Sequence, residues 1–549
     1  MPQENRKFVM LVVLDGWGLA PDGPGNAISL ASTPNMDKFM STFPNTRLGA
    51  SGESVGLPRG EVGNTETGHL NLGAGRIIYQ DLARINMAVA DGSFASNHIL
   101  LNAIQHAKSN NSNLHLMGLV GAGGVHSNLE HLFALIRMAA AQGFNRVFIH
   151  AFTDGRDSPP KAALTYIDHI NNLIKKEGVG QIATVMGRYW AMDRDKRWER
   201  TARAYKALTR GDGHLVKSAE EAIKNSYDQG RSDEFIEPSI ISNSQGQPIS
   251  LIKDNDAVIF FNFRIDRPRQ LTRAFLMDDL STAENVWEHD PFIFDYKKSP
   301  EPSSGQVFDR GKKLENLYFC TMTEYSKILV ESGAKPAFPP EIVGMPLGAV
   351  IAEGGLSQLR ATETEKERFV TFYFNGQREK PYPNEDRLIV PSPDVKTYDL
   401  KPEMSCQELT DRVIERVNSN DYSFVLINYP NPDMVGHTGN ISAAITACES
   451  VDKELSKLYD LVIAKGGTLL ITADHGNVEE MIDDQSGQPD TDHSDHPVPF
   501  IAISKEFMGI HINFPQGVLA DVAPTVLGLL GLHAPSSMIG RNLLNFRTS

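Results

Sequence analysis

The sequence predicts an α/β protein in which parallel sheets are flanked by helices. Three observations lead there. Short, nearly continuous apolar runs alternate with longer helical stretches. Many of those runs end in a polar group with chemical capability, the arrangement found beyond the carboxyl ends of strands in open α/β sheets. The proportions, 41% hydrophobic and 22% charged residues, are those of a soluble globular enzyme.

In chain order, Phe8–Leu14 is the first strand, an apolar run ending at Asp15. It is too short for the ~18 residues of a membrane span. No small-residue cleavage site follows, so a signal peptide is not predicted. Further strands are predicted at Asn113–Leu119, Arg146–Ala151, Ile182–Met186, Ala257–Asn262, Phe424–Asn428 and Thr468–Thr472, and PVPF near position 500 reads as another. Helices are predicted at Leu129–Gln142, stopped by Gly143, at Ala162–Lys176, at Gln407–Asn418, and at Ile441–Lys465, stopped by Gly466-Gly467. Two stretches read as joints, Gly73–Arg76 and Lys335–Pro340; the second is too proline-rich to continue a helix or a central strand. Ser299–Gly311, rich in Pro, Ser and Gly, reads as a surface insertion.

The 549 residues suit three to four ordinary domains or, equally, two large ones. Lys+Arg 53 against Asp+Glu 68 leaves a net charge of −15. That balance argues against sequence-independent nucleic-acid binding, which needs a basic face. A local arginine cluster can still bind an anion. Cys320, Cys406 and Cys448 have no metal or disulfide spacing and read as small core residues, which fits a reducing cytoplasm.

Asp15 follows the first strand, Asp433 and His437 follow FVLIN, and Asp474-His475 follow LLITA. One Asp after a strand is usually a helix cap. Three strand ends supplying carboxylate and imidazole read better as metal ligands for manganese, magnesium or zinc. Asp433 and His437 are one helical turn apart, and His493 precedes PVPF, with His496 as its competitor. Two clusters can be drawn, Asp433/His437/His493 and Asp15/Asp474/His475, and paired metals suit phosphoryl transfer. The motif GNTETGH sits in a glycine-rich stretch expected to be a loop. On spacing alone, Thr65 and Thr67 there read as turn hydroxyls. Between these metal motifs, strand ends carry His126, Arg156-Asp157, Arg188, Arg194, Arg264 and Arg267. Any one arginine reads as a surface charge. Five in an acidic protein read as a pocket for a small, multiply charged anion. Lys366, in ATETEK, reads alone as a helix-surface lysine.

With these motifs the chain resembles the cofactor-independent phosphoglycerate mutases over nearly its whole length. The matching segments are LVVLDGWG, GLPRGEVGNTETGHLNLGAGR, GGVHS, DGRDSPP, GRYWAMDRDKRW, NFRIDRPRQ, ATETEK, NYPNPDMVGHTG, ITADHGN and LADVAPTVLGLLGL. The resemblance implies an alkaline phosphatase-like, doubly wound metal-binding domain, residues 1–79 plus 339–549, and an inserted substrate-binding α/β domain, residues 80–338. It implies two divalent metals, manganese first, with magnesium, zinc or cobalt as alternatives, and no bisphosphoglycerate. One metal falls to Asp433, His437 and His493, the other to Asp15, Asp474, His475 and Thr65. Substrate-binding positions map to His126, Arg156, Asp157, Arg188, Arg194, Arg264, Arg267 and Lys366, and catalytic roles to Thr65, Asp157 and Lys366. Implied too are 3-phosphoglycerate and 2-phosphoglycerate as substrates in glycolysis and gluconeogenesis, a phosphothreonine intermediate, closure about the two joints, and a cytoplasmic monomer with no nucleic-acid or membrane partner. Two departures stand out. Thr65 occupies a position where the family usually has Ser, and Phe369 one where it tends to place His. The stretch around Trp287–Gly311 is longer than usual. Two other readings remain at this point, a related metal-dependent phosphatase or phosphomutase, and an inactive phosphoglycerate-binding protein.

Overall fold

Continuous apolar strands need cover on both faces, and the chain supplies it by building two eight-stranded sheets with helices around each. The architecture is that of a computed structural model describing residues 7–280, 307–483, 486–510 and 515–545. The chain divides into two compact units, Met1–Gln80 with Glu341–Ser549, and Asp81–Pro340. These boundaries lie beside the 79/80 and 338/339 divisions expected from the resemblance. Most of the stretch around 287–311 lies outside the described residues. No helix among the described residues is long and apolar enough to cross a membrane. The three cysteines are free and buried.

In the first unit, Glu385–Val390, Gln358–Glu363, Phe424–Tyr429, Val9–Leu14 and Thr468–Thr472 lie side by side and parallel. Val498–Ile503 then pairs antiparallel, followed by Asn45–Gly49 and Gly517–Val518. Three adjacent strands of the parallel set, Phe424–Tyr429, Val9–Leu14 and Thr468–Thr472, are almost entirely buried, which is why they read as unbroken apolar runs. The long helix Ile441–Ala464 packs its Val451, Leu455 and Leu458 into the same core.

In the second unit, Lys335–Phe338, Tyr318–Thr323, Ala257–Phe260, Leu114–Val120, Val147–Thr153 and Gln181–Gly187 are parallel neighbours. Ser239–Ile241 and His214–Val216 complete that sheet. The Lys335–Pro340 stretch, expected to be a joint, therefore contains an edge strand. Proline is tolerated there because an edge strand has no second neighbour to donate to.

A chain of hydrogen bonds crosses this sheet: Asp256 to His115 (3.1 Å), His115 to His150 (2.9 Å) and His150 to Thr184 (2.9 Å), all four residues buried. His131 is likewise buried, with Nε2 against Asn86 at 2.8 Å. Burial lowers the His131 pKa to about 4 and that of His150 well below the ordinary value. A histidine kept neutral by folding stabilises fully above its unfolded pKa, and the stability is lost as pH falls from there toward the folded value. The second unit should thus unfold at lower urea concentration as pH falls from 7 to 5. His131→Gln, which keeps a donor for Asn86 and cannot titrate, should remove about 2 kcal/mol of that acid loss. An unchanged pH dependence in this variant would contradict the neutral, buried state of His131.

Candidate functional site

Four adjacent parallel strands of the first unit deliver its polar groups to one end of the sheet. Lys366 follows Gln358–Glu363, Asp433 follows Phe424–Tyr429, Asp15 follows Val9–Leu14, and Asp474 and His475 follow Thr468–Thr472. Thr65 joins them from a helix. The GNTETGH segment is not a loop: Thr65–Ala74 is α-helical, opened by Asn64, whose side chain accepts from the Thr67 amide. Glycine inside this helix has a packing reason. A Cβ at Gly68 would sit 2.6 Å from the Asp474 carbonyl oxygen, so only glycine lets the helix lie against that strand end. Thr67 bonds its own turn, through Asn64, as its spacing implied. Thr65 does not.

Thr65 Oγ1 lies 2.9 Å from His475 Nε2, 3.0 Å from Lys366 Nζ and 3.5 Å from Asp15 Oδ1. Lys366 is buried, not on a helix surface, and its ammonium donates to Asp15 at 2.8 Å and Asp433 at 2.6 Å. The ring of Phe369, where the family tends to have His, is 5.3 Å from the same ammonium. It supplies an aromatic face to a buried cation.

The imidazoles are arranged as metal ligands are. His437, His475 and His493 each direct Nδ1 to a backbone carbonyl, of Thr491, Gly476 and Gly63. Such a bond fixes Nδ1 as the outward donor and turns Nε2 inward, where it can ligate a metal ion once the ring gives up its second proton. Nε2 of His437 and Nε2 of His493 are 3.1 Å apart, and each is 3.3 Å from Asp433 Oδ1. Nε2 of His475 is 3.5 Å from both Asp15 and Asp474. His496 points elsewhere, to Glu480 at 3.3 Å.

The electrostatics are those of a cation site. Asp15, Asp433 and Asp474 are fully or almost fully buried. Burial opposes charge on His475, yet the carboxylates of Asp474, Asp15 and Asp433 raise its pKa to about 10. Burial would raise Asp474, but His475, His69 and Lys366 bring it down to about 2. Burial would lower Lys366, and Asp15, Asp433 and Asp474 raise it instead. Asp474 Oδ2 is buried and has no aligned hydrogen bond, although His69 Nδ1 lies 3.2 Å away with its hydrogen directed at the Thr65 carbonyl. A buried carboxylate oxygen left in this way, among inward-facing imidazole nitrogens, fits divalent metal ions. Donor atoms of Asp433, His475 and His493, and separately of Asp15, His69 and Asp474, lie within 4.8 Å of one another.

The second unit gathers its own residues beyond four neighbouring parallel strands. Arg188, buried, pairs with Asp154 at 2.6 Å and with Asp157. His126 lies 3.6 Å from both Asp157 and Asp266, and Arg194 pairs with Asp266 at 2.7 Å. Arg264 Nε is 3.5 Å from Asp266, and Arg267 donates to the Met192 carbonyl. Burial, then the neighbouring Arg188 and Arg194, lower the Arg267 pKa to about 10. That surplus of positive charge suits a multiply charged anion. Arg156 is more exposed, 3.9 Å from Glu234.

Sequence reading passed over four supporting residues. Asn428 donates to Asp15 at 2.7 Å and Asn477 to Asp433 at 3.0 Å. Glu479 accepts from the Gly18 and Asn477 amides. His69 lies against Asp474. Asn428, Asn477 and His69 stand inside NYPNPDMVGHTG, ITADHGN and GNTETGH, and their signal in the sequence is that each is a polar residue in the same motif as a ligand position.

The chain is similar to known proteins over nearly all of its length. It is 50% identical over 543 residues to the 2,3-bisphosphoglycerate-independent phosphoglycerate mutase of Chloroflexus aggregans, covering 98% of each chain. It is 48% identical over 536 residues to that of Moorella thermoacetica, again covering 98% of each. A family profile described as BPG-independent PGAM N-terminus matches residues 85–327. A solved structure of Leishmania mexicana phosphoglycerate mutase at low cobalt concentration aligns with a TM-score of 0.56, at 31% identity, over 98% of both chains.

Proposed function

The chain belongs to the family of 2,3-bisphosphoglycerate-independent phosphoglycerate mutases, and from that membership we propose that it interconverts 3-phosphoglycerate and 2-phosphoglycerate through a phosphothreonine at Thr65. It is an isomerase that acts on a small molecule. In this reading it works in glycolysis and gluconeogenesis as a cytoplasmic monomer, with manganese as the first choice of metal. The first unit serves as the metal-binding domain and the second as the substrate-binding domain.

The observation that carries the reading is the meeting of a hydroxyl, three buried carboxylates, three inward-facing imidazoles and one buried ammonium at the ends of adjacent strands. Asp433, His437 and His493 would hold one divalent ion, and Asp15, Asp474, His475 and Thr65 the other. When bound, the ions supply Lewis acidity that favours loss of the Thr65 proton and neutralises phosphoryl charge. A bond forms between Thr65 Oγ1 and phosphorus as the bond from phosphorus to the glycerate oxygen breaks. Lys366 stabilises charge on the transferring group. His126 and the arginines at 156, 188, 194, 264 and 267 retain and orient the glycerate. Asp157, ionised beside Arg188, takes a proton from the hydroxyl that will attack next and gives it to the oxygen that has lost phosphorus. The phosphoryl group then returns to the other hydroxyl and Thr65 is restored.

The test is a coupled assay that consumes 2-phosphoglycerate, run on metal-stripped protein without bisphosphoglycerate. Turnover should be absent, and added Mn²⁺ should restore it. His493→Ala should weaken metal binding at least ~100-fold and lose activity with it, while His496→Ala stays near wild type. Turnover that persists in chelator, or a requirement for bisphosphoglycerate, would overturn the reading. Release of inorganic phosphate without mutase turnover would favour a phosphatase.

A further inference from the structure

His69 shares the chemistry of the three inward-facing histidines but not their arrangement. Its Nδ1 directs its hydrogen to the Thr65 carbonyl at 3.0 Å and lies 3.2 Å from Asp474 Oδ2 without an aligned bond to it. Its Nε2 does not face the carboxylates with a free lone pair. Asn428 Nδ2 lies 3.2 Å from it. The orientation of that amide is fixed from its other side, because the same Nδ2 must donate to the Asp15 carboxylate at 2.7 Å, and Oδ1 accepts from the Thr362 hydroxyl at 3.3 Å. Asn428 thus spends one hydrogen on Asp15 and the other on the Nε2 lone pair of His69. His69, Asn428 and Thr362 are fully buried, and the ring of Phe369 lies 6.0 Å from that of His69.

We propose that His69 and Asn428 form one positioning device that presets Asp15, Asp474 and the first turn of the Thr65 helix for a divalent ion, with His69 itself outside the coordination sphere. The inference rests on the two-metal reading above. His69 has donor atoms close enough to Asp15 and Asp474 to be taken for a ligand. The bonds it makes leave it no nitrogen to offer. One nitrogen is protonated toward the Thr65 carbonyl, beside the Asp474 carboxylate, and the other is occupied by an amide hydrogen. What remains is an orienting role. The chain Thr362–Asn428–His69 joins two strand ends, through Asp15 and Asp474, to the helix that carries the nucleophile. Removing a link should loosen one ion and spare the other, since Asp433 is held independently by Asn477.

The test is a Mn²⁺ titration of the metal-stripped full-length chain, read by calorimetry and by the resonance of free Mn²⁺. Wild type should take two ions. His69→Ala and Asn428→Ala should still take two, one with wild-type affinity and the other weakened ~10–100-fold, the usual cost of losing an outer partner of a ligand. The double variant should bind little worse than the poorer single one, because both act through one chain of bonds. His69→Asn, whose amide can donate where Nδ1 does, should recover affinity to within about tenfold of wild type. With Co²⁺ loaded, the visible bands of His69→Ala should match wild type, since no nitrogen ligand is lost. A fall to one ion, or a changed cobalt spectrum, would make His69 a ligand and overturn the inference. So would wild-type affinity at both sites in the single variants. Should His69→Ala fail to fold, Asn428→Ser removes both donated bonds without touching the helix, and the same ~10–100-fold, single-site loss is required of it. If wild type itself does not take two ions, the two-metal reading fails instead.

Discussion

Thr65→Ala should lose mutase turnover by at least about 10⁴-fold, the scale seen when a covalent nucleophile is deleted, and should still bind phosphoglycerate. Thr65→Ser should remain active, at a rate equal to or above wild type. The hydroxyl is the part the site holds: it lies 2.9 Å from His475 and 3.0 Å from Lys366, at the first residue of a helix. The γ-methyl of threonine restricts χ1 and adds bulk near the attacking oxygen. It changes rate, not chemistry. Acid-quenched enzyme should carry phosphate on Thr65 by mass spectrometry. Phosphate on Thr67 or Ser54, or turnover retained in Thr65→Ala, would move the chemistry to another residue.

Lys366→Met should lower kcat by ~10²–10³-fold while two metal ions still bind, the range for removing one donor aimed at developing charge. It should also weaken the metal-free protein. Lys366 is the ammonium bridging Asp15 and Asp433, and taking one partner from a buried ion pair costs about 3–5 kcal/mol. Divalent ions would rebalance those carboxylates, so the difference in melting temperature between metal-free and metal-loaded protein should be wider for the variant than for wild type. Thermal melts with and without Mn²⁺ read this directly. An active variant with an unchanged metal-free melt would leave Lys366 with no part in the reaction or in balancing the buried carboxylates.

Much of this was legible in the chain because parallel strands buried on both faces must be apolar throughout, and because ligands in such folds come from the residues that follow. Asp15, Asp433, Asp474 and His475 could be picked out on that ground alone, and the structure gathers them with His437, His493 and Lys366. The arginine set was legible for the same reason. Neighbouring strands Ala257–Phe260, Leu114–Val120, Val147–Thr153 and Gln181–Gly187 all run the same way, so the residues after them share one end of the sheet.

The sequence by itself determined eight of the sixteen described strands, the positions of the chemistry-bearing residues and the family. These rest on local pattern, and local pattern survives in one dimension. Tertiary structure decided the rest. The Thr65 helix looks like a loop because two of its glycines, Gly68 and Gly73, are there for close approach to Asp474 and to the Phe374 carbonyl. Those neighbours are hundreds of residues away in the chain. Lys335–Phe338 became a strand in spite of Pro336 because it fell at a sheet edge. Lys366, Asn428 and His69 acquired their roles only from partners brought in by folding. A buried polar group must be satisfied by whatever the fold places beside it, and no local spacing records which neighbour that will be.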